Sequence, residues 1–168
     1  MSYRILGRAV IASMLLLRAV AAMAQGPELK VGDWAVFKVA GAECWAVTDA
    51  IRGEGPAPSD KALFMITVFP SAPSSPEPAF RLPEDMREVV QGQVFDVRID
   101  ETAFRFFGHE GWAFAASKDD QEAIVAAALK GARASLQVRR DSSDVVTYAF
   151  SLTGAAGAVA EALRCIGK

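Results

Sequence analysis

Val94–Phe107, with the sequence VFDVRIDETAFRFF, is the stretch that decides the fold class of this chain. From Phe95 to Asp100 apolar and charged side chains alternate, and in the second half Arg105 lies between two phenylalanines. Side chains of a β-strand point alternately to its two faces, so this period of two predicts a pair of half-buried strands. Asp100-Glu101 between them suggests a turn, which predicts that the two strands form an antiparallel hairpin.

The same signals recur along the rest of the chain. Ala62–Phe69 is an uninterrupted apolar run of strand length, which predicts a strand buried on both faces. Short turns at Ala40-Gly41-Ala42 and Asp141-Ser142-Ser143 predict two further hairpins. The strands predicted outside the quoted stretch are Val31–Val39, Glu43–Ala50, Ala62–Phe69, Trp112–Ala115, Arg133–Arg139 and Asp144–Phe150.

Two segments have helical periodicity instead. Ser117 is a suitable N-cap for a helix that begins at Lys118 and stops before Gly131. A second helix is predicted from Thr153 to Ile166, and we expect Leu163 to be buried by it. Its predicted apolar stripe consists of Ala156, Val159, Leu163 and Ile166. The expected fold is mainly β (α+β): an antiparallel β-sandwich or open barrel of about eight strands with two packed helices, one of them C-terminal.

Residues 1–24 have the layout of a secretory signal peptide. Arg4 and Arg8 precede the apolar run Ala9–Leu17, and Ala24 completes an Ala-x-Ala cleavage site before Gln25. We therefore expect cleavage between Ala24 and Gln25, a single domain over residues 25–168, and a periplasmic or secreted location without a transmembrane segment after the signal is removed. The alternative is an uncleaved amphipathic N-terminus on a cytoplasmic protein.

The charge pattern argues against nucleic acid as a partner. The whole chain has a formal net charge of −2, and the predicted signal contains arginines but no acidic residue, so the mature chain is more acidic still. Its densest basic point, Arg139-Arg140, is followed directly by Asp141. Binding driven by neutralisation of phosphates needs clustered basic side chains, and we predict no nucleic-acid binding.

The two cysteines, Cys44 and Cys165, both lie in the predicted exported part. An even pair in an oxidising compartment predicts one disulfide, which would join the second strand to the terminal helix. Two separate buried thiols are the alternative.

Catalytic motifs are sparse. His109 is the only histidine, and the sequence has no H-E-x-x-H metal motif, no G-x-S-x-G nucleophile motif and no glycine-rich phosphate loop. We predict no catalytic, cofactor-binding or metal-binding residues. The alternative is a small periplasmic enzyme, either a hydrolase or a thiol-dependent enzyme, that uses His109 or Cys44.

Three tryptophans and two loops are the remaining candidates for function. Trp34, Trp45 and Trp112 are predicted to be core aromatic residues, with a ligand-stacking platform as the alternative. Arg52–Asp60 and Pro70–Pro78 are rich in proline, glycine or serine and are predicted to be flexible loops, with partner binding as the alternative.

The order of several short motifs resembles the invasion-associated locus B family, small exported proteins of Gram-negative bacteria. The resemblance covers nearly all of residues 31–165. It rests on Gly32-Asp33-Trp34, Cys44-Trp45, the Ala62–Val68 strand, Ile99-Asp100, Gly111-Trp112-Ala113, the acidic helix before Lys130-Gly131, Phe150-Ser151-Leu152-Thr153-Gly154 and the terminal helix with Cys165. It implies an exported, β-rich, non-catalytic protein of the bacterial envelope or exterior. Such a protein would bind an envelope or host macromolecule, with a link to host interaction in pathogenic relatives.

Overall fold

The computed structural model describes residues 29–38, 43–51, 61–141 and 144–166. The predicted signal peptide, with its cleavage site at Ala24 and Gln25, lies outside the described residues. So do the predicted turn at Ala40-Gly41-Ala42, the loop Arg52–Asp60 and part of the turn at Asp141-Ser142-Ser143.

Within the described residues the chain forms ten strands, two α-helices and a short 3-10 helix at Glu84–Met86. The strands are β1 Leu29–Val31, β2 Trp34–Lys38, β3 Cys44–Ile51, β4 Leu63–Val68, β5 Glu77–Arg81, β6 Val94–Ile99, β7 Thr102–His109, β8 Trp112–Ala115, β9 Arg133–Arg139 and β10 Val145–Ser151. The helices are α1 Lys118–Ala128 and α2 Ala155–Ile166.

Eight of the strands close into an antiparallel barrel in the order β3-β10-β9-β6-β7-β8-β5-β4 and back to β3. On one edge β3 pairs with β4, whereas its other edge is shared by β2 and β10. β10 pairs with Ala50 and Ile51, and β2 pairs with the residues from Cys44 to Val47. The prediction of a mainly β fold of about eight antiparallel strands with two helices is therefore confirmed, and the barrel is closed.

Two strands were not predicted as they occur. The predicted strand Val31–Val39 is divided into β1 and β2 by a turn at Gly32, whose φ of +59° favours glycine. β5 begins inside the stretch Pro70–Pro78 that was predicted to be a loop. Proline has no backbone N–H to donate to a neighbouring strand. Pro78 is tolerated because it has a strand partner on one side only, Ile66 of β4, since β8 pairs with β5 only from Ala79 onwards.

The inward-facing side chains of the strands and one face of each helix form a single hydrophobic core. Its centre is aromatic. Phe80 stacks on Phe64 with a centroid distance of 4.3 Å, and it also contacts Phe106 and Phe150 at 5.2 Å each. Trp34 contacts Phe64 edge to face at 5.5 Å. These rings belong to strands far apart in the sequence, so they tie the two sides of the barrel together.

α1 begins as predicted. Its N-cap Ser117 accepts a hydrogen bond of 3.1 Å from the backbone N–H of Asp120, and the hydroxyl donates one of 2.8 Å to the Asp120 carboxylate. The side chains that α1 buries are Ile124, Val125 and Ala128.

The predicted apolar stripe of the terminal helix is confirmed for Val159, which is buried, and for Ile166, which packs partly buried against the core, but it was wrong for Ala156 and Leu163. α2 begins at Ala155, and the residues that it buries are Ala155, Ala158, Val159 and Ala162. Leu163 is 40% exposed, and Ala156 is exposed as well. The cause is the bond between Cys165 and Cys44. The bond directs the helix face that carries Cys165 toward the sheet. Ala162, three residues earlier, lies on that same face, whereas the side chain of Leu163 is rotated about 100° from that of Ala162 around the helix axis.

Candidate functional site on the outer face of the barrel

The predicted disulfide is present. Cys44 and Cys165 are bonded, with their Cα atoms 6.3 Å apart, and they are 121 positions apart in the sequence. Cys44 is only 2% exposed. The alternative of two separate buried thiols is therefore wrong, and neither sulfur is a free nucleophile.

His109 is the last residue of β7 and is exposed. Its Nδ1 lies 3.3 Å from the side-chain nitrogen of Gln91. The side-chain oxygen of Gln91 accepts a hydrogen bond of 2.9 Å from the backbone N–H of Glu110. Gln91 therefore joins the imidazole to the β7–β8 turn. In the described ranges no group of three or more His, Cys, Asp and Glu side chains is placed to hold a metal ion.

The three tryptophans occupy two different environments. Trp34 is buried in the barrel core, and its indole N–H donates a hydrogen bond of 3.0 Å to the carbonyl oxygen of Ser151. Trp45 is also buried, but in a second, smaller hydrophobic cluster together with Val47 and Met65. Because the even-numbered neighbours of Trp45 in β3 face the barrel core, this second cluster lies on the outside of the barrel. Trp112 is only partly buried and packs against the second cluster.

The second cluster is part of a longer line of outward-facing apolar side chains, which we call the apolar row. Strand register places these residues directly opposite one another across seven neighbouring strands, in the spatial order β2-β3-β4-β5-β8-β7-β6. The members of the apolar row are Ala35, Val47, Met65, Ala79, Phe114, Phe107 and Val94. Cross-strand neighbours have their Cβ atoms about 5 Å apart, so the row is continuous.

One end of the apolar row is covered and the other is open to solvent. Val47 is 5% exposed and Met65 is 3% exposed, because surrounding side chains of the second cluster cover them. At the other end Phe107 is 43% exposed and Val94 is 66% exposed. An outward valine with two thirds of its surface in water gains little from folding in this position.

The open end of the row carries linked aromatic rings. Phe107 and Phe114 have a centroid distance of 5.7 Å, and Phe114 and Trp112 have a centroid distance of 6.1 Å. We call Val94, Phe107, Phe114 and Trp112 the outer patch. Contiguous exposed apolar surface on a folded domain is typical of a site that binds a partner.

A cation lies at the border of the outer patch. Arg81 of β5 is the cross-strand neighbour of Trp112, and its guanidinium carbon lies 5.7 Å from the centre of the indole ring. It forms no ion pair with any residue that the structure describes. The arrangement is a cation–π contact, which holds the guanidinium of the half-buried Arg81 over the ring.

β9, which pairs with the other edge of β6, has a different outer surface. On β9 the outward residues are Arg133, Ser135, Gln137 and Arg139, all of them polar or charged. β9 therefore follows the usual pattern of a half-buried strand, whereas β8 has aromatic residues at both of its outward positions. The apolar row therefore does not continue from β6 onto β9, and it does not reflect the composition of the whole surface.

A groove of about 750 Å³ lies at the covered end of the row, next to the edge of β3 along which β2 pairs with the first part of the strand and β10 with the last part. Its size is that of a small-molecule site. Its two carboxylates are engaged, since Asp33 accepts a hydrogen bond from Ser151 and Asp49 forms an ion pair of 2.6 Å with Lys61. The remaining walls are largely apolar and include Phe37, Ile51 and Leu63.

Val94, Phe107 and Phe114 were not among the predicted functional residues. A signal for them exists, because Phe106-Phe107 breaks the alternation of β7 and Trp112–Ala115 has no polar residue at all. Pattern alone does not show whether such outward residues are covered by another element. That depends on the position of the helices, and both helices pack into the barrel core instead.

Neither helix of the described chain has the length and apolar composition needed to cross a membrane. Comparisons of the sequence with protein-family models and with curated proteins, and of the chain with solved structures, find no match.

Proposed function

We propose that this chain is an exported, non-catalytic protein of the bacterial envelope or exterior that binds another macromolecule through the outer patch. The observation that carries the proposal is the exposure of Val94 and Phe107 at one end of a continuous apolar row. Aromatic side chains and arginine are the residues that most often dominate binding energy at protein interfaces. The outer patch supplies both, with Arg81 beside Trp112.

Several features support export. A disulfide between Cys44 and Cys165 is typical of proteins in an oxidising compartment. The composition of residues 1–24 is that of a signal peptide, with cleavage proposed after Ala24. The resemblance to the invasion-associated locus B family agrees with this location, and we propose membership of that family. Host interaction, known for pathogenic relatives, is one setting in which such binding would operate.

The competing proposal, a small periplasmic enzyme, finds less support. Cys44 has no free thiol, so a thiol-dependent reaction has no nucleophile there. His109 is exposed, and its described hydrogen-bond partner is the amide of Gln91 rather than a nucleophile or a carboxylate. A general base needs a reacting group within hydrogen-bond reach.

The outer patch is also a better binding surface than the loop that precedes β5. The loop that precedes β5 is exposed but consists largely of serine, alanine and proline. Small side chains of this kind bury little apolar area on contact, whereas Phe107 and Phe114 each offer a large ring.

The test is a pull-down from the native envelope with the exported, disulfide-bonded protein as bait. The double variant Val94→Thr/Phe107→Thr removes the exposed apolar side chains and keeps residues of high β-propensity. Val145→Thr is the matched control, because Val145 is a similarly exposed valine on β10, at 45%. We expect a stoichiometric partner that is lost with the double variant and retained with the control. A partner retained by the double variant, or turnover of a defined substrate abolished by His109→Ala without unfolding, would contradict the proposal.

A further inference from the structure

Arg81 is a cation in an apolar setting. Its cross-strand neighbours are Leu63 on one side and Trp112 on the other, and Ala79 is the preceding outward residue of β5. The acidic side chains nearest in register are already engaged or distant. Asp49 is paired with Lys61, and Glu77, four residues back on the same strand, is about 13 Å away at the usual strand rise.

Covering the outer patch would remove water from this guanidinium. A buried charge without a partner is unfavourable, so a binding partner that covers the patch must offer a group of opposite charge. The planar guanidinium matches the two oxygens of a carboxylate, and such charge-assisted pairs are among the strongest hydrogen bonds in proteins. Charge complementarity therefore requires a carboxylate of the partner at Arg81.

The other end of the patch requires an apolar group. Val94 and Phe107 are directly opposite each other on β6 and β7, and they are the most exposed members of the row. Arg81 lies on β5, three strand spacings from β6 in the order β5-β8-β7-β6. With strands about 4.8 Å apart and an offset of two residues along the strand, the two subsites are about 15 Å apart.

Resting on the proposed function, we infer that the partner is a protein segment that carries a carboxylate side chain and a large apolar side chain four residues apart in an extended conformation. An extended chain rises by about 3.4 Å per residue, and side chains four residues apart lie on the same face, so one segment can reach both subsites. The aliphatic part of the row fits a polypeptide better than a sugar polymer. The acidic net charge of the chain argues against an anionic membrane surface.

The test is selection of a displayed random-peptide library on the full exported chain with its disulfide intact. We expect the enriched peptides to share Asp or Glu and a large apolar residue four positions before or after it. For a synthetic peptide of that sequence, Arg81→Gln should weaken binding at least about tenfold, with partial recovery for Arg81→Lys, which keeps the charge and loses the two-pronged geometry. Arg133→Gln, which removes an outward cation from β9, is the matched control and should leave binding unchanged.

The outcomes separate this inference from the proposed function. Peptides that lack a carboxylate, or that bind Arg81→Gln as well as they bind the wild type, while still depending on Val94 and Phe107, would overturn the partner chemistry and leave the proposed binding surface in place. If no peptide is enriched and the patch binds polygalacturonate or phosphatidylglycerol vesicles, that result would also overturn the inference. Peptides unaffected by Val94→Thr/Phe107→Thr would overturn both proposals. The denaturation midpoint of each variant establishes that it is folded.

Discussion

The hydroxyl of Ser151 donates a hydrogen bond of 2.6 Å to the carboxylate of Asp33, although the two residues are 118 positions apart. The backbone N–H of Asp33 also donates to the carbonyl oxygen of Thr153 at 3.0 Å. The β1–β2 turn is thereby attached to the segment between β10 and α2. Two motifs that support the family resemblance, Gly32-Asp33-Trp34 and the segment that ends at Gly154, thus form one structural unit.

The first prediction concerns the close approach within that unit. A Cβ atom on Gly154 would lie 2.1 Å from the carbonyl oxygen of Val31, and its φ of +96° is unfavourable for any other residue. We expect Gly154→Ala to lower the free energy of unfolding by about 2 kcal/mol or more. Gly92→Ala is the control, because Gly92 also has a positive φ but has no atom within 4 Å of the added Cβ. Equal urea midpoints for the two variants would contradict the close approach.

The second prediction concerns the disulfide. Closing 121 positions of chain restricts the unfolded state, and the chain-entropy estimate gives about 5 kcal/mol of stabilisation. We expect the double variant Cys44→Ser/Cys165→Ser to unfold at a clearly lower urea concentration than the wild type. Intact mass with alkylation, before and after reduction, checks the bond itself. Two thiols that react without reductant in the folded exported protein would show that the bond is absent.

The third prediction follows from the rotation of α2. Leu163 is 40% exposed, whereas Val159 is 3% exposed. We expect Leu163→Ala to change the free energy of unfolding by less than about 1 kcal/mol and Val159→Ala to lower it by about 2 kcal/mol, although the leucine loses more atoms. Thermal or urea unfolding of the two single variants makes the comparison. A larger loss for Leu163→Ala would mean that the helix presents its other face.

α2 also shows how far the sequence could predict the fold. Helix, strand and hairpin signals are local, so the β6–β7 hairpin, the α1 cap and the cysteine pair could all be recognised. The face of α2 was chosen by hydrophobicity, which favoured Leu163 over Ala162. The bond to Cys165 decides otherwise, and small residues at Ala158 and Ala162 allow the helix to approach the sheet closely.

The outer patch could not be predicted in the same way. Val94, Phe107 and Phe114 come into line only through the register of three adjacent strands. That register is non-local information, and so is the absence of a helix over the outward side of β7 in the described fold. An outward aromatic residue in a sequence is equally compatible with a strand whose outer face is covered by another element. For this reason Trp112 was predicted to be a core residue.

The fourth prediction concerns Glu77. Partial burial raises the pKa of its carboxyl above the ordinary value of 4.5. The folded chain therefore holds this proton more tightly than the unfolded chain, so the associated stability is present below pH 4.5 and is lost as the pH rises through the folded pKa. We expect Glu77→Gln to be more stable than the wild type at pH 7 and no more stable below pH 4.5. A stability difference that is independent of pH would contradict the raised pKa.

The central claim is that the outer patch contacts a partner in the native setting. The most direct measurement places a photo-reactive benzoylphenylalanine at position 94 of the full chain in its native cell, with position 145 as the matched exposed-valine control. After irradiation, gel shift and mass spectrometry identify the products. We expect one discrete adduct from position 94 that is missing from position 145. No adduct from position 94, or the same adducts from both positions, would contradict it.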